Sequence, residues 1–185
     1  MRSRRKILDA TLGVITDRGF GGVTIAAVAE TAGVSRQTVY SIFSSREELV
    51  SQAISEVALA ALDGLRDRLE DATNAVDYVV ELIIGGRDAV QTSPILQSLL
   101  VSNTGNPLFD PGMLDRARVV AREVLSGIVE LDTRLSDHLD DLSDYTLHLA
   151  LSVVIFDDNR TDDELRTFLR RWIAPAVASV TESSS

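Results

Sequence analysis

Apolar positions recur at three- and four-residue intervals along nearly the whole chain, the period of one face of an α-helix. Ile7, Leu8, Thr11, Leu12 and Ile15 set the first stripe and predict a helix over residues 3–18. Gly19 stops it, and Phe20 turns back towards a core. Thr24 stands where a helix cap belongs, ahead of Ile25, Val28 and Ala29. Ala32-Gly33-Val34 reads as a tight turn, and Ser35 caps a second short helix with Val39, Ile42 and Phe43 inward. Ser44 or Ser45 opens a longer helix with Glu47 and Glu48 in its first turn, where the helix dipole favours acids. Further helices are predicted at about 45–70, 75–91, 94–102, 112–130, 138–156 and 161–180. The breaks fall at Asp71–Asn74, Thr92–Pro94, Asn103–Pro107, Asp132–Asp137 and Asp157–Thr161. Pro175 should kink or shorten the last helix, and Ser183–Ser185 should fray. No strand-like alternation persists, so the expectation is an all-α fold of about nine helices.

The composition narrows the chemistry. At 185 residues, 45% of them hydrophobic and 25% charged, the chain can bury a core. It has no cysteine, which excludes disulfides, a thiol nucleophile and a cysteine zinc site. Two histidines leave little for a histidine metal site, and neither a metal nor a cofactor is expected. No apolar run approaches the roughly 18 residues of a membrane span, and no signal-like segment follows the basic start. A soluble cytoplasmic protein without a membrane partner is expected. Residues 1–50 hold 7 Lys+Arg against 5 Asp+Glu, and residues 51–185 hold 11 against 23. A basic end on an acidic body fits one small region that touches phosphate while the rest repels it. A solvated surface with a basic tail fits as well.

The two short helices around Gly33 form a helix-turn-helix pattern. Small Ala29 and Ala32 permit close packing, Gly33 supplies backbone freedom, and Val34 and Val39 face inward. The outer side then carries Arg36, Gln37, Thr38, Tyr40 and Ser41. Arginine reads guanine, glutamine reads adenine, and hydroxyls suit phosphate or base edges.

These residues resemble a known family. The run Ile7-Leu8-Asp9-Ala10, Arg18-Gly19-Phe20, Thr24, Val28-Ala29, Ala32-Gly33-Val34-Ser35, Thr38-Val39-Tyr40-Ser41-Ile42-Phe43 and Arg46-Glu47-Glu48-Leu49 is similar to the DNA-binding domain of the tetracycline-repressor (TetR) family. The resemblance implies a three-helix DNA-binding domain over residues 1–50, whose third helix enters the major groove. It also implies a ligand-binding and dimerisation domain over residues 51–185. Carried over by position, Thr24, Thr38 and Tyr40 are phosphate contacts, and Arg46 stands where the family usually has a phosphate-facing lysine. Arg36 and Gln37 hold positions that often face bases. Ser35 and Ser41 join the expected interface, and Arg4, with Arg2, Arg5 and Lys6, makes a basic arm. Gly13 inside the first helix and Ile42, where a polar or aromatic residue is common, depart from the pattern. Other roles stay open: Tyr40 packing on the first helix, Thr24 and Ser35 as plain caps, and the basic end as an untethered tail.

In the body, Val76, Val79, Val80, Ile83, Arg87 and Val90 share one side of helix 75–91, which places Arg87 within an apolar stripe. A buried guanidinium requires an anion. It is either a carboxylate of a neighbouring helix or the anionic group of a ligand. The second reading expects a cavity lined by Ile83, Arg87, Leu96, Leu100, Met113, Ala117 and Tyr145 that holds a largely apolar small-molecule effector. Helix 138–156 has two apolar faces. Leu142, Tyr145, Leu149, Val153 and Phe156 make one, expected inward; Leu147, Leu151, Val154 and Ile155 make the other, with His148 beside them, paired with Asp144. The second face, with Trp172 of the last helix, is the expected homodimer interface. No Ser/His/Asp grouping or phosphate loop suggests an enzyme. The expectation is a homodimeric regulator bound to a double-stranded DNA operator and released by its effector. A regulator controlled by a protein partner, and a ligand-binding helical bundle without DNA function, remain as rivals.

Overall fold

The structure, a computed structural model, describes residues 2–101, 113–157 and 159–182. The turn expected at Asn103–Pro107, the ends of the helices expected at 94–102 and 112–130, and the tail Ser183–Ser185 lie outside them. The regular structure of the described residues is helical, with α1 (Arg2–Arg18), α2 (Ile25–Ala32), α3 (Arg36–Tyr40), α4 (Arg46–Glu70) and α5 (Ala75–Thr92). They continue with α6 (Pro94–Val101), α7 (Met113–Leu125), the single turn α8 (Ile128–Leu131), α9 (Leu139–Phe156) and α10 (Asp162–Glu182). The chain divides into two compact units, residues 1–60 with 91–113, and residues 61–90 with 114–185. The expected boundary at residues 50 and 51 falls inside α4.

In unit 1, local signals set the elements. Gly19 takes φ 66° and ends α1, its N–H bonded to Ile15 O at 2.8 Å. Thr24 caps α2 by accepting from Ala27 N–H at 3.1 Å. Gly33, at φ 60°, closes that helix with its N–H on Ala29 O and Glu30 O. Ser35 caps α3, and Ser45 is the cap of α4, accepting from Glu48 N–H at 3.0 Å. The Glu48 carboxylate reaches back to Ser44 N–H and Oγ, and these bonds hold its pKa below the ordinary value. Ile7, Leu8, Ile15, Phe20, Val28, Val39, Phe43 and Leu49 form a sealed core, and Ile95 and Leu99 of α6 pack against it.

Unit 2 is built from longer helices around Val79, Val80, Ile83, Ile84, Leu125, Ile128, Leu135, Leu165 and Ile173. Gly85 is required there: a Cβ would stand 2.1 Å from Leu65 Cδ2, so α5 meets α4 by having no side chain at that point. Three expectations need correction. The helix foreseen over 112–130 splits at Ser126–Gly127, because Gly127 lies under the Tyr78 ring, its absent Cβ 2.7 Å from the Tyr78 hydroxyl. Pro175 neither ends nor shortens α10, which runs on to Glu182. Proline removes one N–H, and here it stands on the exposed side of the helix, where water can satisfy the freed carbonyl. Phe156, foreseen on the inward stripe, is 78% exposed, because it is the last residue of α9 and the stripe runs past the core.

Candidate nucleic-acid interface

The expected DNA-contacting residues lie on α1 to α4 of unit 1. Thr24, Arg36, Tyr40 and Arg46 wall one open depression of about 600 Å³, floored by Gly21, Val23, Ile25 and Ala26. Tyr40 is 58% exposed, so it does not pack on α1 as a core aromatic. Thr24 and Ser35 are caps and remain exposed. Ser35 Oγ accepts from Thr38 N–H at 3.0 Å and shares a hydrogen bond with Thr38 Oγ1 at 2.8 Å. Two hydroxyl hydrogens serve that single shared bond, so one remains for an outside acceptor. Ser41 Oγ donates to Thr38 O at 2.8 Å and is thereby committed. Gln37 is exposed on the outer side of α3, beside Arg36.

Two of the expected phosphate groups are held otherwise. The basic start of the chain is not a loose arm: α1 begins at Arg2, and Arg4 donates to Gln52 at 2.7 Å and stands 3.4 Å from the Glu56 carboxylate. Helical α1 aims Arg4 at α4, which an extended arm would not do. Arg46 donates through Nε to Val23 O at 2.7 Å and through Nη2 to Phe20 O at 2.6 Å. Glu47, whose pKa is lowered chiefly by a main-chain hydrogen bond and further by Arg46, stands 3.5 Å from its remaining nitrogen. Sequence reading missed these attachments, because their partners lie more than twenty residues away. Lys6, expected in the basic arm, has its ammonium 3.5 Å from where a Gly33 Cβ would be, beside the turn between α2 and α3.

The residues expected to hold an effector are divided: Ile83, Arg87, Ala117 and Tyr145 belong to unit 2, and Leu96, Leu100 and Met113 to unit 1. The Met113 side chain is outside the described residues. Ile83 is fully buried in the unit 2 core, while Tyr145 is half-buried against it. Arg87, 4% exposed, is not an anchor for an anionic ligand. Its Nη2 pairs with the Asp162 carboxylate at the start of α10, and its Nη1 donates to Arg160 O at 3.0 Å. The carboxylate alternative is therefore the one realised: α10 begins one turn from an internal cation that its own acid neutralises. His148 bonds through Nδ1 to the Asp144 main-chain oxygen at 2.7 Å rather than to the carboxylate, which Arg118 holds at 2.7 Å. Leu147, Leu151 and Val154 are half-buried, and His148, Ile155 and Trp172 are exposed, Trp172 by 59%.

Residues 7–53 match the model of bacterial regulatory proteins of the tetR family. The match spans α1 to α3 and the start of α4. The matched segment is a TetR-type helix-turn-helix. The HTH-type transcriptional regulator BetI of Escherichia coli is 26% identical over 128 residues, 68% of this chain and 66% of BetI. The alignment thus stops just short of two thirds of that relative's length. Among solved structures, the TetR-family repressor AlkX from Dietzia superposes with a TM-score of 0.68 at 22% identity, covering 96% of each chain. The fatty acid degradation regulator FadR from Bacillus halodurans superposes at 0.55 with 21% identity, over 92% of this chain and 94% of FadR. These two likenesses carry the fold. No helix among the described residues is long and apolar enough to cross a membrane.

Proposed function

We propose that the chain is a homodimeric repressor that occupies a DNA operator and leaves it when a small-molecule effector binds. The observation that carries the DNA half is the convergence of Thr24, Arg36, Tyr40 and Arg46 on one depression beside exposed Gln37. Hydroxyls and a cation there suit a phosphate, and the outer side of α3 suits base edges. A dimer with two such helices set about 34 Å apart spans successive major grooves. Its bulk excludes other proteins from that DNA, so repression needs no further surface.

Support for the dimer is the apolar exposure of α9 and α10. Phe156, Trp172, Ile155 and Phe168 stand exposed on two neighbouring elements, which is unusual for a surface meant for water. We place Leu147, His148, Leu151, Val154, Ile155 and Trp172 in that interface. The effector is proposed to be largely apolar, without the anionic group that Arg87 would have met. Thr146, buried on α9 next to Tyr145, has a hydroxyl with no hydrogen-bond partner, a group that a polar atom of an effector would satisfy.

The test is a mobility shift on the duplex upstream of the protein's own coding sequence. Binding should weaken steeply between about 50 and 200 mM salt. Gln37→Ala should lower discrimination at one base position by about 1–3 kcal/mol and leave binding to random duplex unchanged. Absence of salt-dependent binding to either duplex would favour a helical ligand-binding protein without DNA function.

A further inference from the structure

Arg46 holds the position where the resemblance puts a phosphate-facing lysine, yet its donors are spent on main chain. Its side chain is only 26% exposed. Nε and Nη2 grip Val23 O and Phe20 O, the two ends of the turn that delivers Thr24 to the cap of α2. Across the same turn Val23 N–H reaches Phe20 O at 3.1 Å, so the guanidinium closes a loop that one hydrogen bond would hold loosely. A planar fork with donors on two edges fits two carbonyls at once; an ammonium on an unbranched stem is a single point of attachment. The remaining nitrogen faces Glu47 at 3.5 Å, whose charge offsets its pull on any outside anion. Arg36 differs in each respect. It is exposed on the wall of the same depression, and among the described residues no carboxylate pairs with it.

We propose that the two arginines divide the work: Arg46 is a positioning residue that holds the Phe20–Val23 turn, and with it Thr24, in register, and Arg36 is the cation that meets the phosphate. The proposal rests on the DNA-binding reading above. It departs from the resemblance at both positions, since that implies a phosphate contact for Arg46 and a base-facing place for Arg36.

Three quantities separate the roles: the dissociation constant, the slope of log affinity against log salt, and the melting temperature of the free protein. Arg46→Lys keeps the charge and loses the fork. It should weaken binding about tenfold with the salt slope unchanged, because the slope counts only cations that neutralise phosphate. Arg36→Gln should make the slope shallower by about 0.9 for each subunit on the duplex and leave the melting temperature unchanged. Full affinity in Arg46→Lys, or a shallower slope in Arg46→Gln, would make Arg46 a direct contact and overturn the proposal. A lower melting temperature in Arg46→Lys with unaltered affinity of the folded protein would reduce it to a stabilising role and overturn it equally. An unchanged slope in Arg36→Gln would remove the other half. Should Arg46→Lys not fold, the wild-type Arg46 Nε–H signal decides by NMR. It should stay protected and unshifted when duplex is added, and a large shift would mean that DNA takes the donor. Failure of the wild-type protein to bind any duplex would instead count against the DNA-binding reading itself.

Discussion

In unit 2, nine arginines stand in ion pairs with acids of the same unit, among them Arg68 with Asp88, Arg87 with Asp162, Arg118 with Asp144 and Arg166 with Glu81. In unit 1, Arg4, Arg5 and Arg46 are paired with acids, whereas among the described residues no acid pairs with Arg36 or Lys6. Apolar side chains show the reverse. Among the described residues, unit 1 leaves Tyr40 and Leu59 as its large exposed hydrophobics, whereas unit 2 leaves Phe156, Trp172, Ile155, Phe168, Val119 and others outside. Among the described residues, unit 1 thus seals most of its apolar groups and leaves some cations unspent, as suits a surface that meets a polyanion. Unit 2 has most of its described cations neutralised and its apolar groups incompletely covered, as suits a surface that meets another protein surface.

The largest effect that could break this contrast is on assembly. Trp172→Glu adds a charge where the side chain is already solvent-exposed, so the monomer fold should survive. The dimer should dissociate in sedimentation, and operator affinity should fall about 100-fold or more as the two half-sites lose their linkage. An unchanged sedimentation coefficient would place the interface elsewhere. Next in size is the ion pair at the start of α10. Asp162→Ala leaves the Arg87 guanidinium buried without its carboxylate and should cost about 3 kcal/mol in urea unfolding. The exposed pair Arg5 and Asp9 of unit 1 should cost less than about 0.5 kcal/mol when Asp9 is changed to alanine. Equal losses would mean that the pairs of the two units do not differ in kind. The smallest effect is a gain. Gly13 lies inside α1 with open space around an added methyl, so Gly13→Ala should raise stability by about 1 kcal/mol with DNA affinity untouched.

Unit 1 was legible because its signals are local. Gly19 and Gly33 punctuate, Thr24 and Ser35 cap, and each acts on residues within four positions of itself. The same reading named Thr24, Arg36, Tyr40 and Arg46, which line one depression. It failed where a partner is remote in sequence. Asp162 neutralises Arg87 from 75 positions away, and the carbonyls that occupy Arg46 lie 23 and 26 positions before it. The split of helix 112–130 at Gly127 depends on the Tyr78 ring, which no pattern near residue 127 announces. A helical stripe, likewise, says which residues share a side but not where the core beneath them stops, and so Phe156 was placed inward.

The pairing of arginines within unit 2 also bears on how the protein finds its site. With nine arginines spent on its own carboxylates, the body presents an acidic exterior to every stretch of genome it approaches. A landing that does not seat α3 is then held only by the few free cations of unit 1 and is opposed by the remainder. Such encounters end quickly. The protein should therefore search by short hops through solution more than by long sliding, and spend little of its time parked on irrelevant sequence.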